Sequence, residues 1–341
     1  MKHFHEIQRL EKLVLKSNDP LVRPHVLTTV KGNGHEFPIF GLSLGSSDKS
    51  KPTLGLFGGV HGLERVGSHV ILAYLESFFE QLRWDSSLRE LLEKVRLVTI
   101  PVVNPGGMFF GYRSNLNGVD LMRNAPIECE ENAPWLVGGH RISPKIPWYR
   151  GKEGDPMEIE TQTLIEFVKN EIFPSKASLT IDFHSGFGLE DRLWYPYAKS
   201  RKPFPKIHQA LALKNLFDRT YQHHIYKVEP QSVNYTTHGD IWDHLVDEHI
   251  SLQKDKAETE ATHFLPWTLE MGSWQWVRKN PTQLFNALGP YNPIKPHRYK
   301  RVMRRHITLV DFFLRSALNW KTWAIHPEKG ILQTPGPSSL K

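Results

Sequence analysis

Residues 53–82 read TLGLFGGVHGLERVGSHVILAYLESFFEQL, and the spacing of their apolar side chains changes part-way through. Thr53 to Gly58 is an apolar run of strand length; after the Gly58-Gly59 turn, Val66, Val70, Ile71, Tyr74, Leu75 and Phe78 recur at helical spacing. Strand, glycine-rich turn and helix in that order open an α/β unit.

The flanking sequence extends the pattern. Upstream, residues 4–16 read as a surface helix, and the segments around Val26 to Val30 and Phe37 to Leu44 as short strands between turn residues. Downstream, Val95 to Val103 is a buried strand ending in Asn104-Pro105-Gly106-Gly107; residues 158–172 are helical and lead to a strand from Ser178 to Phe183. Alternating buried strands and helices predict one α/β domain with a mixed, mostly parallel sheet and helices on both faces. The expected division is an N-terminal helical segment over 1–22, the main domain over 23–324 and a tail over 325–341. Polar, charged or Pro-rich residues at 125–157 and 247–263 read as surface excursions. Because functional groups in such sheets gather at strand ends, His61, Asn104 and His184, each just after an apolar strand, are expected to converge.

Composition narrows the chemistry. The 341 residues carry a formal net charge of +7, but the basic residues are scattered and no aromatic-basic array accompanies them, so no nucleic-acid partner is expected. The densest cluster, Lys300, Arg301, Arg304 and Arg305, lies on a helix whose apolar residues fall mostly on another side, and reads as a solvated face. No apolar run reaches the roughly 18–20 residues that span a bilayer, so no membrane partner is expected. The opening MKHFHEIQRLEKLVLKSNDP lacks the pattern of a signal peptide; a cytoplasmic location is the expectation, with a periplasmic one left open. Cys129 is the only cysteine, which excludes an intramolecular disulfide and a zinc site built on several thiolates.

A catalytic zinc takes three nitrogen or carboxylate ligands and leaves a position for water. His61-Gly62-Leu63-Glu64 offers a pair at the start of a helix, although such spacings arise by chance among 18 histidines and 36 acidic residues. The segments that follow change its meaning. GGVHGLE, NPGGMFFGYRSNLNGVDLMRN, DFHS and TLEMG occur in this order, and together they closely resemble the signature segments of the M14 zinc carboxypeptidases over roughly residues 37 to 290.

That resemblance implies one zinc ion held by His61, Glu64 and His184, with Asp120 hydrogen-bonded to the first histidine and fixing its tautomer. It makes Glu270 the general base beside the water that the metal activates. It makes Arg113 the stabiliser of the developing oxyanion, Arg123 the grip on the substrate's terminal carboxylate, and Tyr235 the residue that closes over substrate. Two departures stand out. Met122 occupies the place of the family's asparagine, whose amide helps to hold that carboxylate, so Asn124 or Asn117 is expected to serve in its stead. Asn104-Pro105-Gly106-Gly107 replaces an Asn-Pro-Asp-Gly turn, which is expected to loosen it. The side-chain pocket is expected near Asp240 to Asp243, where an acidic wall would favour a basic side chain.

The implied function is hydrolysis of a C-terminal peptide bond. A relative cleaving another amide, such as a murein peptide or an N-acyl amino acid, is the alternative that Met122 suggests, and a non-catalytic binding protein of the same fold is the third. With no His-Glu-x-x-His helix, a zincin protease is not indicated.

Overall fold

The computed structural model describes residues 4–257 and 260–324. One sheet organises them: β1 (Val22–Gly32), β2 (His35–Gly45), β3 (Thr53–Gly58), β4 (Arg96–Ile100), β5 (Ala177–Ser185), β6 (Arg192–Tyr195), β7 (Lys227–Pro230) and β8 (His263–Met271). The spatial order is β1-β2-β4-β3-β5-β8-β6-β7. The centre, β4-β3-β5-β8, is parallel throughout, while β1-β2-β4 and β8-β6 run antiparallel. Every residue of β3, β4 and β5 is buried, which is why these strands read as unbroken apolar runs rather than alternating ones.

Helices cover both faces, as the alternation along β5 shows. Asp182 accepts a hydrogen bond from Trp242 of the helix Ile241–Gln253, whereas the next residue, Phe183, lies against Gly67 of the helix Arg65–Gln81. Phe57 of β3 stands on the first of these faces, with its ring 5.1 Å from Trp242 and 6.2 Å from Phe167 of the helix Ile159–Glu171. The N-terminal helix His5–Lys16 is held to the Arg65–Gln81 helix by a buried carboxylate: Glu6 receives Arg65 at 2.8 Å and His69 at 2.9 Å. Burial pushes Glu6 up, but the His69 hydrogen bond and the Arg65 charge prevail and bring its pKa to about 2.

The sequence expectations fail in three places. The excursion expected at 247–263 begins as helix, because Asp240 caps the first turn and Leu245, Val246 and His249 continue a buried stripe through its charged residues. Residues 125–157 contain no regular element beyond an isolated bridge between His140 and Tyr149, yet they are more than surface, since buried Arg150 ties them to Glu128 and to the Arg123 carbonyl. In the basic cluster Lys300, Arg301 and Arg304 are exposed as expected, but Arg305 reaches Asp191 at 3.0 Å. The expected tail at 325–341 lies outside the described residues. No described helix is long and apolar enough to cross a membrane.

Candidate functional site

β3 ends at Gly58, and the chain reaches the next helix through a turn that demands glycine twice. Gly59 has φ +65°, and a Cβ on Gly62 would stand 2.1 Å from the Gly107 carbonyl carbon. The close approach is fixed by Asn104, which accepts from the Gly107 N–H at 2.8 Å and donates to the Val60 carbonyl at 3.2 Å. Asn104-Pro105-Gly106-Gly107 is thus a capped helix start (Pro105–Phe110) packed against the His61 turn, not the loosened turn expected.

This turn delivers His61 and Glu64 to the end of β5, where His184 emerges. His61 Nδ1 lies 2.9 Å from Glu64 Oε1, and His184 Nδ1 lies 3.1 Å from Glu64 Oε2. The outer nitrogens face other carboxylates: His61 Nε2 is 3.0 Å from Asp120 Oδ1, and His184 Nε2 is 2.8 Å from Asp182 Oδ2. A carboxylate beside each Nε2 favours a proton there once an ion takes the inner position, so both Nδ1 atoms would then be free to bind it together with Glu64. One ligand atom from each of the three residues falls within 4.8 Å of the others, and all three residues are buried, so the donor set suits a single zinc. Burial would raise the Glu64 pKa, but the His61 charge and the two imidazole hydrogen bonds hold it well below the carboxylate range.

Strand pairing places the next group. His184 is the register partner of Glu270 on β8, so the two side chains stand side by side on one face. Glu270 Oε1 accepts from the Phe187 N–H at 2.9 Å; burial, and then the Glu64 charge, push its pKa up to about 8. Arg113 donates from Nε to Asp120 at 2.9 Å and from Nη1 to Glu64 at 3.2 Å. Arg123 is buried, shares the Val137 carbonyl between Nε and Nη2 at 3.3 Å each, and lies 6.0 Å from the centroid of the Tyr235 ring.

His61, Glu64, His184, Glu270, Arg113, Arg123 and Tyr235 all line one cavity of about 300 Å³. Its lining also includes Pro134, Val137 and Trp148 of the 125–157 segment, and Met122, Trp194 and Thr268. Trp148 has φ +71°, a conformation costly for a bulky residue and held here by the His140 N–H on its carbonyl at 3.1 Å.

The zinc carboxypeptidase family, Peptidase_M14, matches residues 14–272. The chain belongs to this family. Carboxypeptidase B of Rattus norvegicus is 26% identical over 199 residues, covering 55% of this chain and 45% of its own length. Metallocarboxypeptidase A of Trichophyton rubrum is 26% identical over 264 residues, covering 69% of this chain and 59% of its own. The chain thus spans about half the length of the curated relatives it matches. The solved structure of thrombin activatable fibrinolysis inhibitor superposes with a TM-score of 0.65 at 18% identity, over 93% of this chain and 74% of that one, and shares its fold.

Within this zinc carboxypeptidase fold the asparagines and aspartates expected at the substrate are used elsewhere. The Asn124 side chain spans the Arg150 carbonyl at 3.0 Å and the Glu158 N–H at 2.7 Å, lining a separate cavity of about 870 Å³ that contains none of the metal-cluster residues. Asn117 is spent on Glu158 at 2.6 Å, so neither asparagine replaces the missing amide at Met122. Asp240 caps the Ile241–Gln253 helix through Trp242 and Asp243 N–H groups, and Asp243 accepts from the Ala198 and Lys199 N–H groups; the expected acidic wall is therefore buried away from the cavity. Conversely, sequence reasoning missed Asp182. Its signal was present, because residues two apart in a strand share a face and DFH puts a carboxylate beneath the ligand His184.

Proposed function

We propose that the protein is a zinc-dependent carboxypeptidase that hydrolyses the C-terminal peptide bond of its substrate. The observation that carries this reading is one cavity holding the His61, Glu64 and His184 cluster, Glu270 beside His184, and the buried guanidinium of Arg123. A zinc ion bound there would acidify water and polarise the scissile carbonyl.

The chain's own residues supply the rest. Arg123 pairs with the terminal carboxylate and so sets which bond lies over the cluster. Glu270 accepts a proton from the attacking water as the new C–O bond forms, and returns it to the leaving nitrogen as the C–N bond breaks. The place of Glu270 beside His184, in the same cavity as the cluster, lets it hold that proton between the two steps. Arg113, kept charged by Asp120 and Glu64, sets positive charge near the carbonyl oxygen, and Tyr235 covers the cavity beside Arg123.

Loss of the amide donor at position 122 supports a second reading, an amidase acting on murein peptides or N-acyl amino acids. One panel separates them. The expected result is release of the last residue from peptides with a free carboxylate, none from the same peptides amidated, and loss with a chelator that zinc reverses. Turnover confined to acyl amino acids or cell-wall peptides would favour the second reading; turnover that persists after chelation would reject both.

A further inference from the structure

We infer that the exposed basic surface of residues 271–310 receives an acidic segment of the substrate, lying a few residues upstream of the bond that is cut. The inference rests on the carboxypeptidase reading and names a feature of the substrate that this reading leaves open.

The positive charge of the chain is gathered here rather than scattered. Residues 271–310 hold eight lysines and arginines and no aspartate or glutamate; the other 301 residues carry 35 basic against 36 acidic ones, a net charge of −1. Arg278, Lys279, Lys295, Lys300, Arg301 and Arg304 are exposed. Of the eight cations only Arg305 meets a carboxylate among the described residues, Asp191 at 3.0 Å. Helix stability does not account for the arrangement. The helix Pro296–Leu318 starts after Lys295 with no acid in its first turn, and Arg298, Lys300 and Arg301 follow, although cations at that end oppose the helix dipole.

The fold sets these charges near the mouth of the site. The Trp274 indole N–H donates to the carbonyl of Gly186, a residue that lines the cavity, at 3.0 Å. Arg278 follows Trp274 by one turn of the helix Trp274–Lys279, on the same face and roughly 6 Å away between Cβ atoms. Tyr291 also lines the cavity, and Lys295, four residues on, lies within about 14 Å of it. Arg298 joins the two segments, donating to the Trp276 carbonyl at 2.9 Å and the Lys279 carbonyl at 3.3 Å. The acids nearest this surface in the chain, Glu190 and Asp191, are matched by Arg192 and Arg305.

Substrate direction selects the occupant. Arg123 borders Val137 and Tyr235, whereas Gly186 and Tyr291 meet beside Glu64: a Cβ on Gly186 would lie 2.9 Å from Tyr291 Cδ1 and 3.9 Å from Glu64 Oε1. A peptide held by its carboxylate at Arg123, with its scissile bond at the cluster, leaves past Gly186 and Tyr291. At about 3.4 Å per extended residue, about four upstream residues reach Arg278 and Lys295, and acidic side chains there meet unpaired cations.

The test compares two coumarin-labelled peptides, Glu-Glu-Glu-Ala-Leu and Lys-Lys-Lys-Ala-Leu, each with a free terminal carboxylate. Binding to the zinc-loaded full chain carrying Glu270→Gln is read by fluorescence anisotropy, and turnover is measured with the parent. The expected result is at least about tenfold tighter binding of the acidic peptide in about 20 mM salt, shrinking to a few-fold or less in about 0.5 M. Adding Arg278→Gln, Lys279→Gln and Lys295→Gln, all at exposed positions, should bring the two affinities within about threefold in low salt. Equal, inverted or undetectable binding of the two peptides would overturn the inference, as would a preference that ignores salt or survives the three substitutions. If the peptides then bind alike while the chain sediments with phosphatidylserine vesicles and not with phosphatidylcholine ones, the surface belongs to a membrane, for which exposed Leu284 and Phe285 would serve. Binding with the expected preference but no hydrolysis of either peptide by the parent would instead sink the carboxypeptidase reading alone.

Discussion

The candidate metal-binding cluster and the group of Met122, Trp194 and Thr268 line one small cavity, and they differ in the polar partners they offer. Around the cluster most polar atoms meet a partner within the chain: both outer imidazole nitrogens lie beside carboxylates, and Glu64 is held by two histidines, Arg113 and the Ser185 N–H, although Asp182 Oδ1 has no partner among the described residues. In the second group, Met122 offers no donor and Trp194 Nε1 has no partner among the described residues. The first region offers charged and hydrogen-bonded groups; the second offers mainly Met122, Thr268 and an indole ring. That contrast predicts that mutations on the cluster side act on rate and metal, and those in the second group act on substrate preference.

The largest effect should come from Glu270→Gln, which removes the proton acceptor while keeping its shape. Hydrolysis should fall about 10²–10⁴-fold with zinc content unchanged by metal analysis. A rate within a few-fold of the parent would break the division of labour, because the chemistry would then lie outside the cluster side.

Next in size is the support beneath the candidate metal site. Asp182 joins His184, one of the three candidate ligands, at 2.8 Å to the Trp242 indole at 2.9 Å. Asp182→Asn should weaken zinc binding about 10–100-fold in a chelator competition, while the binding of a carboxylate ligand at Arg123 changes little once zinc is saturating. Unchanged zinc affinity would show that the backbone alone orients His184.

Away from the site, the same question of partners governs acid stability. His249, His263 and His306 are held by burial below the ordinary imidazole value of 6.5, at about 3, 4 and 4 respectively, with Lys206 adding to the effect at the first two. The unfolded chain takes up protons near pH 6.5 that the folded chain refuses, so stability is complete above that pH and declines as pH falls toward 4. Each such histidine should cost up to about tenfold in the folding constant per pH unit within that window, read from urea unfolding. Glu6, with its pKa lowered to about 2, adds a further loss only below its unfolded value of 4.5. A flat profile down to pH 4.5 would show that these imidazoles are protonated in the folded state.

What could be read from the sequence follows from the range of each interaction. The alternation of buried strands and helices predicted a single mixed sheet with helices on both faces, and that architecture is present. His61, Glu64 and His184 lie in short segments whose spacing survives in one dimension. Asp240 misled because a carboxylate ahead of a helix caps it as readily as it lines a pocket. The helix through Gln253 was hidden because its buried stripe is interrupted by charged residues. Trp194 was beyond reach: β6 is only four residues long, and its position under Glu270 follows from pairing with a strand some seventy residues later. The same holds for Pro134, Val137 and Trp148, whose approach to the site depends on how a long irregular segment folds back.

The smallest effect sharpens the comparison most. Met122 is buried beside Arg123, and the neighbouring asparagines are committed to Arg150 and Glu158, so nothing restores the absent amide. Met122→Asn introduces a donor next to the terminal carboxylate, where one net hydrogen bond to a charged group is worth about 1.5 kcal/mol or more. Against that stands the burial of a polar group whenever the cavity is empty, so the net gain should be about fivefold. It should appear as a lower KM for ordinary peptides with kcat nearly constant, since the carboxylate is bound equally in ground and transition states. A rise in kcat instead would mean that position 122 acts on the reacting bond, and the boundary between the two regions would have to be redrawn through Arg123.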